Sequence, residues 1–349
     1  MAYTSIDKQE SFFNTKLYTG TGSSNAITGV GFQPDLVWIK NRATTGNHAW
    51  FNAISGVTKY INSNTNYSEQ TSAPTLTAFG TDGFTVGSSS DLNGNGNNIV
   101  SWNWKANGAG SANTAGSINS TVSVNTSSGF SIVKYTGTGA NATVGHGLGV
   151  APSMILFKNL DTARNWIVYH KDIGATKNLY LDLNNSQNTE SATFQDTAPT
   201  NTVFSIGTSV GVNESGDNIV AYCFADKTGF SKFGSYKGNG SSDGVFVYTG
   251  FKPAFLMLKR ANSNENWHMF DIKRDPRYPT NSSYGGMATR LMANLNNSSD
   301  LSQGGFRFLS NGLKMTTSWS GGNGSGDTFI YMCFGQSLVG SNDIPCTAR

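Results

Sequence analysis

The residues whose types admit chemistry are three glycine-rich turns, three asparagine-rich turns, four histidines, three cysteines, seven tryptophans and a thin scatter of acids. Tyr18-Thr19-Gly20-Thr21-Gly22, Tyr135-Thr136-Gly137-Thr138-Gly139 and Tyr236-Lys237-Gly238-Asn239-Gly240 place Gly-x-Gly directly after a strand pattern, as a phosphate loop does. No helical period follows to present its amino end, and each copy runs on into another apolar strand, which argues against phosphate. Asn93-Gly94-Asn95-Gly96, Asn213-Glu214-Ser215-Gly216-Asp217 and Asn323-Gly324-Ser325-Gly326-Asp327 offer oxygen ligands for calcium. A tight hairpin turn accounts for the same residues, and the first copy has no carboxylate inside it. His48, His146, His170 and His268 have no metal-binding spacing. Glycoside cleavage needs two carboxylates flanking a bond, and Asp182, Glu190 and Asp196 form the one loose acidic grouping. Cys223 and Cys333 sit in apolar strands as small buried hydrophobes, and with Cys346 they are an odd, late-placed set that cannot frame a disulfide scaffold. The expectation is therefore no catalytic residue, no cofactor and no metal: a protein that is not an enzyme.

What remains for recognition is rings and loops. Trp38, Trp102 and Trp104 fall in apolar strands and read as core, while Trp166 and Trp267 take the same place in two copies of a repeat. Trp319, beside Ser320-Gly321-Gly322, is the best candidate for an exposed ring that stacks on a sugar. A polar, proline-interrupted insertion, Lys273-Arg274-Asp275-Pro276-Arg277-Tyr278-Pro279, adds Arg274, Arg277 and Tyr278 as candidate glycan or partner contacts.

Those loops must be carried by a repeat. Each Gly-x-Gly is followed by a proline, Pro34, Pro152 or Pro253, which precedes an apolar run ending six residues later in Lys40, Lys158 or Lys259. Seven residues on stands Asn47, Asn165 or Asn266, and four beyond that an aromatic, Phe51, Tyr169 or Phe270. The last landmark runs eleven residues from Asn93 to Trp104, from Asn213 to Phe224 and from Asn323 to Phe334. Several landmarks in one register mean three copies of one structural unit. The repeated lysines read as strand caps or bridges between copies. In the third copy the interval after the aromatic is twelve residues longer, which locates the insertion at about residues 272–283.

Leu36-Val37-Trp38-Ile39, Met154-Ile155-Leu156-Phe157 and Phe255-Leu256-Met257-Leu258 are continuous apolar runs of strand length, so both faces of those strands must be covered. No sustained helical period appears. The fold expected is all-β: three tandem β-sandwich repeats of about 100 residues, jelly-roll or lectin-like. The units are placed at residues 12–106, 128–226 and 227–336, with an N-terminal arm (1–11), a Gly/Ser/Asn/Thr linker (107–127) and a C-terminal tail (337–349). Within the linker, Thr121-Val122-Ser123-Val124 alternates like a short strand.

Composition bounds the partners. Of 349 residues 13% are charged, and 24 basic against 21 acidic residues leave +3, with no basic block of the kind a nucleic-acid binder concentrates. Met1 to Phe13 carries no apolar signal region and no stretch has the length of a membrane helix, so an aqueous compartment and no membrane insertion are expected. Gly counts 41, which requires many turns, while 37% hydrophobic residues still supply sizeable cores.

With the repeat laid out, the chain resembles repeat-containing virion proteins of tailed bacteriophages, especially those of marine bacteria, often called tail-fibre-like. The resemblance rests on Met1-Ala2-Tyr3-Thr4-Ser5-Ile6-Asp7, Leu36-Val37-Trp38-Ile39-Lys40-Asn41-Arg42 and Trp102-Asn103-Trp104-Lys105-Ala106-Asn107-Gly108. It continues through Val144-Gly145-His146-Gly147-Leu148-Gly149-Val150-Ala151-Pro152 and Gly229-Phe230-Ser231-Lys232-Phe233-Gly234-Ser235-Tyr236 to Thr347-Ala348-Arg349. It implies a structural protein of the virion, assembled in the host cytoplasm, with other virion proteins as partners. The expected place is a tail fibre or fibre tip touching a host-surface glycan; the alternative is capsid-surface decoration or a head fibre, and a polysaccharide-degrading tailspike stands third. Assembly is expected either as a homotrimer or as one chain whose units make a pseudo-threefold body. The resemblance carries over no catalytic or binding residue, and the chain departs from long fibres in having no coiled-coil or β-helical shaft pattern.

Overall fold

The computed structural model describes residues 4–275, 289–299 and 305–338. Strand accounts for 43% of residues and helix for 6%, which makes the protein all-β. Each unit has a large antiparallel sheet of one order: first strand, last strand, then the apolar strand and its two successors. In unit 1 these are Phe13–Thr19, Asn98–Trp104, Leu36–Asn41, Ala49–Asn52 and Lys59–Asn62, with Gln70–Thr71 at the edge. Unit 2 repeats the order with Phe130–Thr136, Asn218–Phe224, Met154–Asn159, Ile167–His170 and Lys177–Tyr180. Unit 3 does so with Ser231–Lys237, Thr328–Gln336, Lys252–Arg260, His268–Asp271 and Leu291–Met292. A small sheet covers the outer face of each: Asn25–Thr28, Gly83–Val86 and Leu76–Gly80 in unit 1, Ala142–Gly145 and Val203–Ile206 in unit 2, Phe246–Tyr248, Gly312–Met315 and Phe306–Leu309 in unit 3.

The apolar strands show why a second covering is needed. Side chains alternate across a strand, and every residue of Leu36–Asn41 is buried. Val37 and Ile39 face the core beneath the small sheet, whereas Leu36 and Trp38 enter a central core to which all three units contribute. Met154 and Leu156, then Phe255 and Met257, take the matching inward places in units 2 and 3. The three sandwiches therefore surround one axis. Trp104, Phe224 and Phe334, the matched ends of the last strands, form a nearly equilateral triangle there, with ring centroids 6.2, 5.9 and 6.2 Å apart. This central core is the main departure from a row of self-contained sandwiches.

The ring closes through three similar seams. Between units 1 and 2, Lys158 Nζ donates to the Asn66 carbonyl and Trp166 Nε1 to that of Asn62. Between units 2 and 3, Lys259 Nζ donates to Asn184 and Trp267 Nε1 to Tyr180. The third seam joins the ends of the repeat: Gly46 N–H donates to Asn296 and Ser299 N–H to Arg42. Two of the repeated lysines thus bridge copies, while Lys40 caps its own strand end through Asn41 and Thr44 carbonyls. Burial pushes all three ammonium groups down to about 8. In the third seam His48 stands where units 2 and 3 have tryptophan, its Nδ1 accepting from Trp38 Nε1 at 2.8 Å.

One expectation needs correcting. Residues 107–127 are not a linker, because Ser111–Asn113 and Ser120–Asn125 add two strands to the large sheet of unit 2. Ser111–Asn113 is the edge strand, where polar residues are at home, and Ser120–Asn125 pairs on both sides between it and Phe130–Thr136. The described part of the N-terminal arm, from Thr4, is tied to the body. Ile6 is in the central core, and Gln336 clasps the arm by accepting from Gln9 N–H and donating to the Asp7 carbonyl. Of the C-terminal tail, only Ser337 and Leu338 lie within the described residues.

Candidate functional site

The asparagine turns are built as structural keystones. Each recurrent Asn ends a one-turn helix, Ser90–Asn93, Val210–Asn213 or Ser320–Asn323. Its buried amide ties three backbone strands together. Asn213 Oδ1 accepts from Thr138 N–H, and Nδ2 donates to the Ala140 and Gly207 carbonyls. Asn323 repeats this with Asn239, Ser241 and Thr317, and Asn93 with Thr21, Ser23 and Gly87. The tyrosine that opens each unit donates its hydroxyl to the carbonyl just before that Asn, at Leu92, Val212 or Gly322. In the Gly-x-Gly, a Cβ on Gly20, Gly137 or Gly238 would meet a carbonyl oxygen at 2.1–2.2 Å. The second glycine, Gly22, Gly139 or Gly240, has φ near +70°. One glycine allows close approach and the other supplies the left-handed turn. These turns spend their polar atoms on the fold.

An Asn213→Ala substitution is expected to cost about 2–3 kcal/mol, since it strands one donor and two acceptors in a part-buried site. Urea denaturation measures it, and a cost below about 1 kcal/mol would mean that water replaces the amide. Asn213→Asp is expected to do no better, because a carboxylate lacks both donors.

Of the acidic grouping Asp182 is absorbed, as are the thiols and imidazoles, while Glu190 is half-buried and Asp196 exposed. Asp182 Oδ1 accepts from Trp166 N–H as Asn64 does from His48 and Asn294 from Trp267, so its place is a seam position shared by all units. Burial raises its carboxyl to about 6. Cys223 and Cys333 are buried, with thiol pKa values raised by burial. All four histidines are buried and their pKa values lowered, chiefly by desolvation. Among the described residues no group of three His, Cys, Asp or Glu side chains is arranged to hold a metal.

Of the four residues singled out for recognition, two are placed and neither is free on the surface. Trp319 is half-buried: its ring lies over Gly321 and Gly322 and meets His268 edge-on at 4.8 Å, with the Arg290 guanidinium 5.8 Å from its centroid. It belongs to the outer core of unit 3. Arg274 is 2% exposed. Its Nε bonds Asp271, its Nη2 donates to the Met269 carbonyl, and its guanidinium lies 5.3 Å from the Trp102 ring centroid across the seam to unit 1. Arg274 is therefore no surface contact for a glycan or partner, because the carboxylate of Asp271 holds the start of the insertion inside. Arg277 and Tyr278 lie outside the described residues.

Beside Arg274 the fold opens a cavity of about 540 Å³ between units 1 and 3, at the pole where the first and last described segments meet. Lys8, Glu10, Asn14, Lys252, Ile272 and Lys273 line it, and Lys273 Nζ stands 3.6 Å from Glu10 Oε1. The lining is mixed, with charged, polar and apolar side chains. Sequence reasoning missed the cavity because its walls come from segments far apart in the chain, the arm and first strand, Lys252 to Ala254, Ile272 to Lys273 and Gln336.

No helix is long and apolar enough to cross a membrane among the described residues. No curated protein and no solved structure matches the chain. A family match does exist, and it runs over residues 8–337, from the arm that Gln336 clasps to the end of the last strand. Its extent is that of the whole closed ring rather than of one repeat, and on that match the chain belongs to the family described as a domain of unknown function (DUF7483).

Proposed function

We propose that the chain is a structural component of a bacteriophage virion, a tail-fibre or fibre-tip protein that contacts a host-surface glycan. The sequence resemblance over nearly the whole chain motivates the reading, and one structural observation carries it: three matched units in one polypeptide close around a single axis. Such a body has the pseudo-threefold symmetry to meet a threefold partner without a homotrimer of its own, since closed assemblies are built on point-group symmetry. Partners on this reading are other virion proteins at one end and saccharide at the periphery.

Immunogold labelling of intact virions with an antibody to the chain tests it. Label at the fibre ends is expected. Label over the head would replace the reading with capsid-surface decoration, and unlabelled virions would overturn both. Release of reducing ends from host polysaccharide by the purified chain would make it an enzyme instead.

A further inference from the structure

One seam contact recurs in all three units, so its chemistry can be compared copy by copy. Asn64 Oδ1 accepts from His48 N–H and Asn294 Oδ1 from Trp267 N–H, and in each case Nδ2 donates at 2.8 Å to the landmark asparagine of its unit, Asn47 or Asn266. Unit 2 keeps the first bond and changes the second. Asp182 Oδ1 accepts from Trp166 N–H at 3.1 Å, one residue after the landmark Asn165, but a carboxylate has no N–H to give. Its Oδ2 is buried without a partner. The position also joins two seams. Trp166 reaches into unit 1 through the Asn62 carbonyl, while the rim around Asp182 receives unit 3: the Tyr180 carbonyl accepts from Trp267 Nε1, the Asn184 carbonyl from Lys259 Nζ and Glu265 N–H, and Gln187 N–H donates to Ala261.

We propose that Asp182 is a proton-operated latch of the ring: as a carboxylic acid it donates its Oδ2 hydroxyl to Asn165 Oδ1 and completes the link that Asn64 and Asn294 make with an amide, and its ionisation loosens the rim that holds unit 3. The hydroxyl of the acid form is the one donor a carboxyl can supply. Ionised, Asp182 sets a charge in a water-excluded seam, a costly arrangement unless a cation bonds to it. None does. Lys158, on the strand Met154–Asn159, is the cation that acts on it, yet its Nζ donates to the Asn66 and Arg164 carbonyls. Asn165 and Trp166 are neutral neighbours, and across the seam the Glu265 carboxylate turns to His268. Burial raises the Asp182 carboxyl to about 6 and lowers Lys158 to about 8, so Asp182 titrates first as pH rises. A folded value above the unfolded one, about 4, means that the folded chain binds more protons. Stability from this group is therefore full below about pH 4 and is lost as pH rises through about 6, the proton going to solvent.

Urea denaturation of the full chain from about pH 4 to about pH 7, beside Asp182→Asn, tests the latch. The variant installs the amide of the other two units, and the other titrating groups cancel in the comparison. The folding constant of Asp182→Asn over that of the wild type is expected to rise about tenfold per pH unit between about 4 and 6, about 100-fold in all, and to level off above. A ratio that does not move with pH overturns the proposal, and one that falls overturns it in favour of an ion pair with Lys158. Amide exchange reads the rim. At about pH 7 the Gln187 and Glu265 N–H groups are expected to exchange faster in the wild type than in Asp182→Asn, and at about pH 5 alike. Equal exchange at both pH values overturns the latch and leaves only a titrating carboxyl. Should Asp182→Asn not fold, carboxyl-carbon NMR of the wild-type chain decides: the Asp182 resonance is expected to titrate near pH 6, and titration in the ordinary aspartate range near about 4 sinks the idea.

Discussion

Arg274→Ala is expected to cost about 3–5 kcal/mol, because it leaves a buried carboxylate without its cation. Neither side chain of the Arg274–Asp271 pair has any exposure. Asp271 Oδ1 accepts from the Arg274 backbone N–H, and Oδ2 from the guanidinium and from Trp102 Nε1 at 3.1 Å. Without the guanidinium the hydrogen bonds left to Asp271 come from neutral donors, with the Arg42 cation nearby but not bonded to it, and Met269 also loses a donor to its carbonyl. The large figure belongs to breaking the pair, and the pair itself contributes much less, since desolvation of both ions offsets their attraction. An Asp271→Asn/Arg274→Met double variant should therefore recover most of the lost stability. Urea denaturation of the three variants separates these effects, and a cost below about 1 kcal/mol for Arg274→Ala would show that solvent reaches Asp271. The same geometry governs any truncation of the insertion. Deleting residues 272–283 removes Arg274 and confounds folding with binding, whereas deleting 276–283 spares the pair and tests Arg277 and Tyr278 alone.

Asp271 also shows what a repeat can and cannot reveal in advance. In strand register it matches His170 and Asn52, since Phe255, Met154 and Leu36 pair with them. All three make the same kind of contact with a neighbouring unit: Asn52 Nδ2 with Tyr222 Oη at 3.1 Å, His170 Nε2 with the Tyr331 carbonyl at 3.4 Å, and Asp271 with Trp102. Three residue types at one position do not look alike in sequence, so the seam was invisible although its frame was not. Landmarks with one steric solution, such as Gly20, Gly137 and Gly238 under a carbonyl, keep their identity and were legible. The one-turn helices escaped because four residues are too short for a helical period to register. Residues 107–127 read as linker because the edge strand Ser111–Asn113 and its neighbour Ser120–Asn125 are short and rich in Ser, Thr and Asn, although Val122 and Ser123 are buried. Continuous apolar runs such as Leu36–Asn41 did announce two covered faces, but periodicity cannot say that the second cover is the other two units. Asp182 fell within a loose acidic grouping, and only its match with Asn64 and Asn294 at the seam marks it.

Whether the shared core makes one folding unit of the ring is decided at Trp104. Its ring meets Phe13 of its own unit at 4.9 Å, Phe224 of unit 2 at 6.2 Å, and Phe255 and Phe334 of unit 3 at 6.2 and 5.9 Å. It is 1% exposed. Trp104→Ala opens a cavity on the axis that no single unit can collapse to fill, since three sheets on three sides hold its walls, and the expected cost is about 3–5 kcal/mol. The form of the loss matters more than its size. Val247→Ala in the outer core of unit 3 strips contacts that belong to that unit alone, while Trp104→Ala strips contacts from all three. If the central core couples the units, calorimetry of Trp104→Ala shows one cooperative transition moved to lower temperature, with its calorimetric and van't Hoff enthalpies equal as two-state unfolding requires. Units that fold independently would instead give separate transitions, with only that of unit 1 displaced. The second pattern would contradict the central core, because Phe224 and Phe334 cannot lose a neighbour at about 6 Å without their own sheets losing stability.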